Sequence, residues 1–265
     1  MKTRIITGCL IGILVIFLIF SNMAVFNIAY IAASAVIMFE LLHAGKSDVS
    51  AYVVNILFTL LYVISHAYLP EYQTYIVPVY LLAIFTVHIF RYSKFEVSKL
   101  FYTVFTFIYV NVLISYLADI KYFANFGSFM LLMFVASVVF SDTFAYFIGV
   151  TWGKHKLCPD ISPKKTIEGS IGAFLGAVIS SVIVAVIYNR INIPVSYVWS
   201  VVYGIVCGGV SQIGDLLASS IKRYFEIKDY GNVLPGHGGI MDRLDSIILV
   251  APVFYFFLVN FIYIG

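Results

Sequence analysis

Nine stretches of mostly apolar residues follow one another along most of this chain. A bilayer core about 30 Å thick needs roughly 20 helical residues, so stretches of this kind predict membrane-spanning helices. Of the 265 residues, 62% are hydrophobic and 11% charged, with a mean hydropathy of +1.00. Soluble domains are closer to half apolar and about a quarter charged. We therefore expect an all-α integral membrane protein with about nine spans, near residues 5–20, 23–43, 52–69, 74–90, 100–118, 127–149, 169–188, 197–218 and 246–263.

The first stretch is short and is followed at once by Ser21 and Asn22. It is similar to the apolar region of a signal peptide, but no small-residue cleavage site of the A-x-A kind follows it. We therefore expect a retained first helix in a tight helical hairpin.

The placement of lysine and arginine predicts the orientation in the membrane. If the N-terminus is cytosolic, 14 of the 16 basic residues lie on inner segments, and only Lys121 and Arg190 lie outside. Cytosolic loops of membrane proteins carry such an excess, so the N-terminus is predicted inside and the C-terminus outside. The basic residues then form a cytosolic collar that serves either as the insertion signal alone or also as a contact for anionic headgroups and nucleotides.

The chain divides by polarity into residues 1–125, with about five spans, and residues 126–265. Polar residues are few in the first half. A lone Glu or His near a helix end more often bonds a neighbouring helix than takes part in a reaction. This interpretation applies to Glu40, His43, His66 and His88.

Three polar clusters lie in the second half, at residues 141–149, 153–172 and 211–246. All three fall on the cytosolic side of the predicted topology, which indicates one site that faces the cytoplasm. We therefore interpret residues 126–265 as the catalytic half.

The eighth span carries four polar residues on one helical face, because their spacings are four, four and three. They are Ser211, Asp215, Ser219 and Lys222. A carboxylate inside the membrane end of a helix is costly unless it is paired, protonated or bound to a metal. Asp215 is thus either half of an ion pair with Lys222 or an arginine that locks helices together, or a metal ligand.

The segment PGHGGIMDRLDS, residues 235–246, concentrates charge and glycine before the last span. Asp242 and Asp245 are three apart and point roughly the same way on a helix. Such oxygen ligands suit Mg²⁺, which takes one or two carboxylates together with substrate phosphates. The glycines let the backbone approach a ligand, and free N–H groups before a helix favour anions. Basic side chains for phosphate are Lys222, Arg223, Lys228 and Arg243.

The loop at 153–172 adds Ser162, Lys164, Lys165 and Glu168. Its adjacent lysines fit the insertion signal and a polyphosphate contact equally well. Asp142, at the cytosolic end of the sixth span, is either a third carboxylate of the site or a helix-packing group.

Several common catalytic motifs are absent from the sequence. There is no G-x-x-x-x-G-K-[ST] loop and no H-E-x-x-H, which argues against a P-loop nucleotidase and a zinc protease of that class. G-x-S-x-G is also absent, so nothing indicates a serine nucleophile of that type.

The order of residues from 219 to 245 resembles the signature of the phosphatidate cytidylyltransferases, also called CDP-diacylglycerol synthases. The matching positions are Ser219, Ile221, Lys222, Arg223, Lys228, Asp229, Gly231, Leu234, Pro235, His237, Gly238, Gly239, Asp242, Arg243 and Asp245. The run from Ile161 to Gly169 and the group of Asp142, Ala145, Tyr146 and Gly149 are also similar to this family. Residues 1–130 match only as hydrophobic helices.

The resemblance implies that CTP and phosphatidic acid give CDP-diacylglycerol and pyrophosphate, with one or two Mg²⁺ ions required. It implies metal ligands at Asp215 and Asp242, with Asp245, Asp142 and Asp229 as further members. Catalytic residues are expected at Asp215, Asp242, Lys222, Arg223, His237 and Arg243. Substrate-binding residues are expected at Ser162, Lys164, Lys165, Glu168, Ser219, Lys228, Gly238 and Gly239. Which basic residues meet CTP and which meet the lipid phosphate is left open.

The expected partners are CTP, phosphatidic acid and the lipid bilayer, with no nucleic acid, and the expected assembly is a homodimer. A chain of 265 residues with no long soluble extension favours a bacterial inner (cell) membrane over an organelle membrane. Three other functions are weighed against this one. A secondary transporter would place its sites near the bilayer midplane with paired helix breaks, and the signature of a CDP-alcohol phosphotransferase is absent. A CTP-dependent lipid-alcohol kinase shares the nucleotide but not the signature.

Overall fold

The structure, a computed structural model, describes residues 2–264, with side chains described from residue 6 onward except at position 124. Ten α-helices account for most of this range. They are α1 (Lys2–Phe20), α2 (Met23–Ala44), α3 (Val49–Tyr68), α4 (Gln73–Phe90), α5 (Val97–Phe107), α6 (Leu113–Tyr122), α7 (Gly127–Trp152), α8 (Ile167–Arg190), α9 (Tyr197–Tyr224) and α10 (Met241–Phe257).

Shorter elements join or extend these helices. A π-helical turn, Ile108–Val112, makes α5 and α6 continuous, and a second, Leu258–Ile262, follows α10. Short 3₁₀ turns occur at Pro70–Tyr72 and Ala124–Phe126.

Eight helical segments among the described residues are long and apolar enough, by length and composition, to cross a membrane. They are Met23–Ala44, Val49–Tyr68, Pro70–Phe90, Val97–Tyr122, Gly127–Trp152, Ile167–Arg190, Tyr197–Tyr224 and Met241–Ile262. A shorter apolar helix covers Ile6–Phe20. These nine segments coincide with the nine predicted stretches, so the all-α membrane class is confirmed, while the orientation of the termini stays a prediction.

The loop at 153–172 contains one element that the sequence analysis does not predict. Strands β1 (Lys156–Cys158) and β2 (Ser162–Thr166) form an antiparallel hairpin, with Lys156 opposite Thr166 and Cys158 opposite Ser162. The β2 strand leads directly into α8.

The chain forms two compact units. The first contains Met1–Ala118 and Phe225–Arg243, and the second contains Asp119–Tyr224 and Leu244–Gly265. The division at residue 125 made from polarity stays a prediction, because compactness is a different criterion.

The first unit joins its helices with polar side chains inside the bundle. The hydroxyl of Tyr80 donates to Asn55 Oδ1 at 3.2 Å and to the carbonyl of Thr103 at 3.3 Å. Asn111 Nδ2 donates to Thr59 Oγ1 at 3.1 Å. Lipid tails give helices no hydrophobic reason to associate, so such interhelical hydrogen bonds help to hold α3, α4 and α5 together.

The second unit brings its helices together through small residues. A Cβ at Gly172 of α8 would lie 2.8 Å from the carbonyl of Phe144 in α7. A Cβ at Gly208 of α9 would lie 2.7 Å from the Cα of Phe174 in α8. Glycines let helix backbones approach this closely in a membrane, so α7, α8 and α9 form a tight bundle.

Candidate active site

Helices α7 and α9 place two of the predicted carboxylates, Asp142 and Asp215, in the second unit. The hydroxyls of Ser141 and Ser211 lie 3.0 Å apart and are buried. Ser141 is the immediate neighbour of Asp142, and Ser211 lies one turn before Asp215. This contact fixes the two helices against each other beside the carboxylates.

Asp215 is held by side chains and remains partly accessible. Lys165 Nζ lies 2.6 Å from Asp215 Oδ2, with side-chain exposures of 22% and 34%. The hydroxyl of Ser219 donates to Asp215 Oδ1 at 3.3 Å. Asp215 therefore does form an ion pair, but with Lys165 of β2, a partner that the sequence analysis did not name.

Asp245 joins these groups from α10, and a glycine makes the approach possible. A Cβ at Gly214 would lie 2.7 Å from the carbonyl oxygen of Asp245. The backbone N–H of Ser246 donates to Asp245 Oδ1 at 2.8 Å, and the Ser246 side chain lies close to Asp142. α9 thus carries a glycine where α10 passes close to it.

Asp142, Asp215 and Asp245 form what we call the carboxylate cluster. The charge of Asp215 acts on both of the others, and that of Asp142 acts on Asp245. Positive charge comes from Lys165 and Lys222, which act on Asp142 and Asp245 respectively. With all five groups ionised, three carboxylates against two lysines give a formal excess of negative charge, which favours the binding of a cation.

The donor set of the carboxylate cluster fits Mg²⁺. In the part of the chain that the structure describes, no group of three or more His, Cys, Asp or Glu residues is placed so that it could hold a metal ion by itself. Mg²⁺ seldom uses such a cage, because it keeps several waters and takes one or two carboxylates together with substrate phosphates. One or two carboxylates of the cluster are the kind of oxygen donor that Mg²⁺ uses beside a substrate phosphate.

Three side chains hold the β-hairpin in place. Two of them, Glu168 and Arg223, were predicted as site residues, and the third, Thr166, follows the predicted Lys165. Thr166 accepts the N–H of Gly169 at 3.1 Å and caps α8. Glu168 accepts the N–H of Lys154 at 3.1 Å and contacts His155 Nδ1 at 2.7 Å. Arg223 Nε donates to the carbonyl of Ile161 at 3.3 Å. Glu168 and Arg223, predicted for substrate binding and catalysis, thus have hairpin-holding contacts in the structure.

In the first unit, residues 225–240 connect α9 to α10, and we call them the glycine-rich loop. Its turn is closed by two hydrogen bonds, from the N–H of Leu234 to the carbonyl of Gly238 and from the N–H of His237 to the carbonyl of Leu234, both 2.9 Å. Gly236 and Gly238 have φ of 77° and 85°, a conformation that favours glycine.

Asp242 is the centre around which this loop folds. The residue is only 7% exposed. Asp242 Oδ2 accepts the N–H of Tyr230 at 2.8 Å and the N–H of Gly239 at 3.0 Å. A Cβ at Gly238 would lie 2.9 Å from the same oxygen. Two backbone donors therefore orient a carboxylate that was predicted as a metal ligand.

Glu40, near the C-terminal end of α2, is a residue that the sequence analysis did not assign to the site. It accepts the N–H of Ile240 at 3.0 Å and that of Met241 at 2.8 Å, at the start of α10. The N–H groups of residues 239–241 were expected to be free for an anion, but they donate to Asp242 and Glu40. No short-range pattern could have indicated this contact, because the partners lie 200 residues apart.

The remaining predicted residues are more accessible. Asp229 is exposed, with Oδ1 3.4 Å from where a Cβ of Gly238 would lie. The ring of His237 packs near Gly8 of α1 and is half-buried. The side chains of Lys164, Lys228 and Arg243 are exposed, and Ser162 is half-buried in β2. Exposed cations of this kind can turn toward an anionic substrate.

Comparisons with known proteins agree with the signature found in the sequence. The sequence model of the Cytidylyltransferase family matches residues 2–261. The phosphatidate cytidylyltransferase of Bacillus subtilis is 32% identical over 272 aligned residues, which cover 98% of this chain and 98% of that protein. The phosphatidate cytidylyltransferase of Aquifex aeolicus is 35% identical over 63% of this chain and 60% of its own length. That of Thermotoga maritima is 33% identical over 60% of each chain.

Proposed function

Because the chain belongs to the cytidylyltransferase family, we propose that it transfers the cytidylyl group of CTP to phosphatidic acid. The products are CDP-diacylglycerol, a precursor of phospholipids, and pyrophosphate. The observation that carries the proposal is similarity along 98% of both chains to a relative named phosphatidate cytidylyltransferase.

The reaction forms one P–O bond and breaks another. A phosphate oxygen of phosphatidic acid attacks the α-phosphorus of CTP, and the bond from that phosphorus to the oxygen bridging to the β-phosphate breaks. The electron pair leaves with pyrophosphate. The nucleophile is already anionic, so no side chain has to activate it. The protein has to bring two polyanions together and hold them in line.

Cationic side chains near the carboxylate cluster supply part of that charge compensation. Lys165 and Lys222 carry the positive charges beside the cluster, and Arg223 lies in the last turn of α9. In the proposal they contact phosphate oxygens as negative charge builds up on the departing pyrophosphate. Lys164, Lys228 and Arg243 serve as further phosphate contacts, and His237 binds a phosphate oxygen or assists the departure of pyrophosphate.

The residues proposed to hold Mg²⁺ are Asp215 and Asp242, with Asp245, Asp142 and Asp229 as additional or supporting ligands for one or two ions. A bound Mg²⁺ would neutralise phosphate charge and polarise the α-phosphate. Lys165, which is ion-paired with Asp215, would exchange that contact for a phosphate oxygen when substrate and metal bind.

This chain is an integral membrane protein, and we place it in a bacterial inner (cell) membrane with its site facing the cytoplasm. The excess of basic residues on one side of the predicted topology supports that orientation, and the curated relatives described above are bacterial. The homodimer stays a prediction.

The test follows two labels of CTP into lipid. Detergent-purified protein is incubated with phosphatidic acid, Mg²⁺ and CTP labelled in the cytidine or at the γ-phosphate. Cytidine label in lipid, lost in Asp242→Asn but retained in Asp48→Asn, supports the proposal; Asp48 caps α3, and Asn is an equally good cap. Label from the γ-phosphate instead would indicate a CTP-dependent lipid-alcohol kinase. If neither label entered lipid while the protein stayed folded, the proposal would be wrong.

A further inference from the structure

Glu40 binds the start of α10 with both oxygens of its carboxylate. Oε1 accepts the N–H of Ile240 and Oε2 that of Met241. The side chain is 2% exposed. A buried carboxylate is costly unless other groups compensate its charge, and successive N–H groups at a helix N-terminus provide that compensation. The contact therefore fixes where α10 begins.

Two glycines of the glycine-rich loop leave room for this carboxylate. A Cβ at Gly231 would collide with Glu40 Oε1, and a Cβ at Gly239 would lie 2.5 Å from the same atom. Among the described glycines, those with positive φ are Gly236 and Gly238. Gly231 and Gly239 are therefore required by the space that Glu40 occupies rather than by backbone conformation.

The same loop connects Glu40 to Asp242. The N–H of Gly239 donates to Asp242 while its Cα faces Glu40, and the N–H groups of the next two residues donate to Glu40. The charge of Asp242 also acts on Glu40. A shift of Glu40 would displace Gly239 and change the direction in which Asp242 presents its other oxygen.

We propose that Glu40 is a positioning residue for the reaction, which acts through the glycine-rich loop and Asp242 and does not touch substrate. The inference rests on the cytidylyl transfer proposed above. Groups that orient a ligand or a catalytic carboxylate affect turnover even though they make no contact with the reacting atoms, and an error of about 1 Å in position can cost about 100-fold in rate.

The first test is the kinetics of Glu40→Gln, which keeps the size of the side chain but removes one of its two acceptor oxygens. We expect kcat to fall by about 10-fold to 100-fold while the KM for CTP stays within about threefold. Asp48→Ala is the matched control, because it removes a carboxylate cap from α3, where Asp48 accepts the N–H of Ser50 at 3.0 Å. That control should melt at a lower temperature with kcat per folded molecule unchanged.

The second test is a double-mutant cycle with Gly231→Ala. Alone, this substitution forces the new methyl group against Glu40, and we expect it to lower kcat by at least about tenfold. In the Glu40→Ala background the carboxylate is gone, so the same substitution should cost less than about threefold further. Additive losses would overturn the steric part of the inference.

A third readout does not depend on activity. Amide hydrogen exchange at Ile240 and Met241 should be at least about tenfold faster in Glu40→Gln than in the wild type. If wild-type protein transferred no cytidylyl label, the proposed function would fail, and exchange would still decide whether Glu40 holds the loop. Unchanged exchange, a kcat within about threefold of wild type, or a loss that follows only the folded fraction would overturn the inference.

Discussion

Asp215 and Asp242 are both proposed metal ligands, yet the protein holds them in different ways. Asp215 is partly accessible and is bonded by side chains, from Lys165 and Ser219. Asp242 is buried and is bonded by the backbone N–H groups of Tyr230 and Gly239.

The difference predicts that Asp215 serves mainly the reaction, whereas Asp242 also stabilises the fold. A lysine side chain can rotate away, so Asp215 can exchange Lys165 for a cation without any change of the backbone. Backbone N–H groups cannot leave Asp242 unless the glycine-rich loop refolds. Neutralising Asp215 should therefore affect turnover alone, whereas neutralising Asp242 should affect both turnover and stability.

The largest effect is expected for Asp215→Asn. Loss of the charge should lower kcat by at least about 100-fold, since electrostatic groups at a reaction centre typically contribute that much. The apparent melting temperature should not fall, because the substitution also removes repulsion from Asp142 and Asp245. Label transfer and thermal unfolding of one preparation check both parts. A variant that melts well below wild type would show that Lys165 and Asp215 are mainly a structural pair.

Asp242→Asn should combine a loss of activity with a loss of stability. Hydrogen bonds to a charged acceptor contribute about 1.5–3 kcal/mol each, so weakening the two N–H bonds should cost about 1–3 kcal/mol. For a chain of this size that corresponds to an apparent melting temperature lower by roughly 2–10 °C. A differential scanning measurement that gave the wild-type value would remove the distinction between the two carboxylates.

Gly214→Ala tests how the carboxylate cluster is assembled. The new methyl group would lie 2.7 Å from the carbonyl of Asp245, and overpacking of this kind typically costs about 1–3 kcal/mol. We expect lower thermal stability together with lower activity. Gly12→Ala is the control, because a Cβ there has nothing within 4 Å. Equal effects of the two substitutions would mean that the contact between α9 and α10 is not as tight as described.

The smallest effect is expected for Thr166→Ala, which removes the cap of α8 next to Lys165. Loss of an N-cap costs about 1 kcal/mol, so the apparent melting temperature should fall by roughly 2–4 °C. Thr166→Ser keeps the hydroxyl that accepts the N–H of Gly169 and should melt close to the wild type. If both variants melted alike, the cap would not contribute to the stability of the hairpin and α8.

The spans could be predicted from the sequence, because length and apolar composition are enough to identify membrane helices. The structure places a helix at every predicted stretch. It also brings Asp142, Asp215 and Asp245 close to one another, while their role as metal ligands stays a prediction. The spans depend on patterns within about 20 residues, which a single sequence shows directly.

Other features depend on contacts that a sequence does not display. Strands of three and five residues in a polar loop cannot be told from a turn, so the hairpin at 156–166 was missed. Lys165 was recognised as basic, but its pairing with Asp215 spans 50 residues. Glu40 was interpreted as a helix-packing residue, but it accepts two hydrogen bonds, from Ile240 at the end of the glycine-rich loop and from Met241 at the start of α10. Its partners are backbone N–H groups, which nearly every residue has, so the residue types in the sequence do not reveal them.

The most direct test of the account measures whether Asp215 belongs to a site for metal-bound CTP. Apparent melting temperatures of wild type and Asp215→Asn are recorded with CTP alone, Mg²⁺ alone and both together. A ligand at 100 times its Kd stabilises a protein by about 2.7 kcal/mol, which is roughly 5–10 °C here. We expect that shift for wild type only when CTP and Mg²⁺ are both present, and little shift for the variant. An equal shift in Asp215→Asn would contradict it.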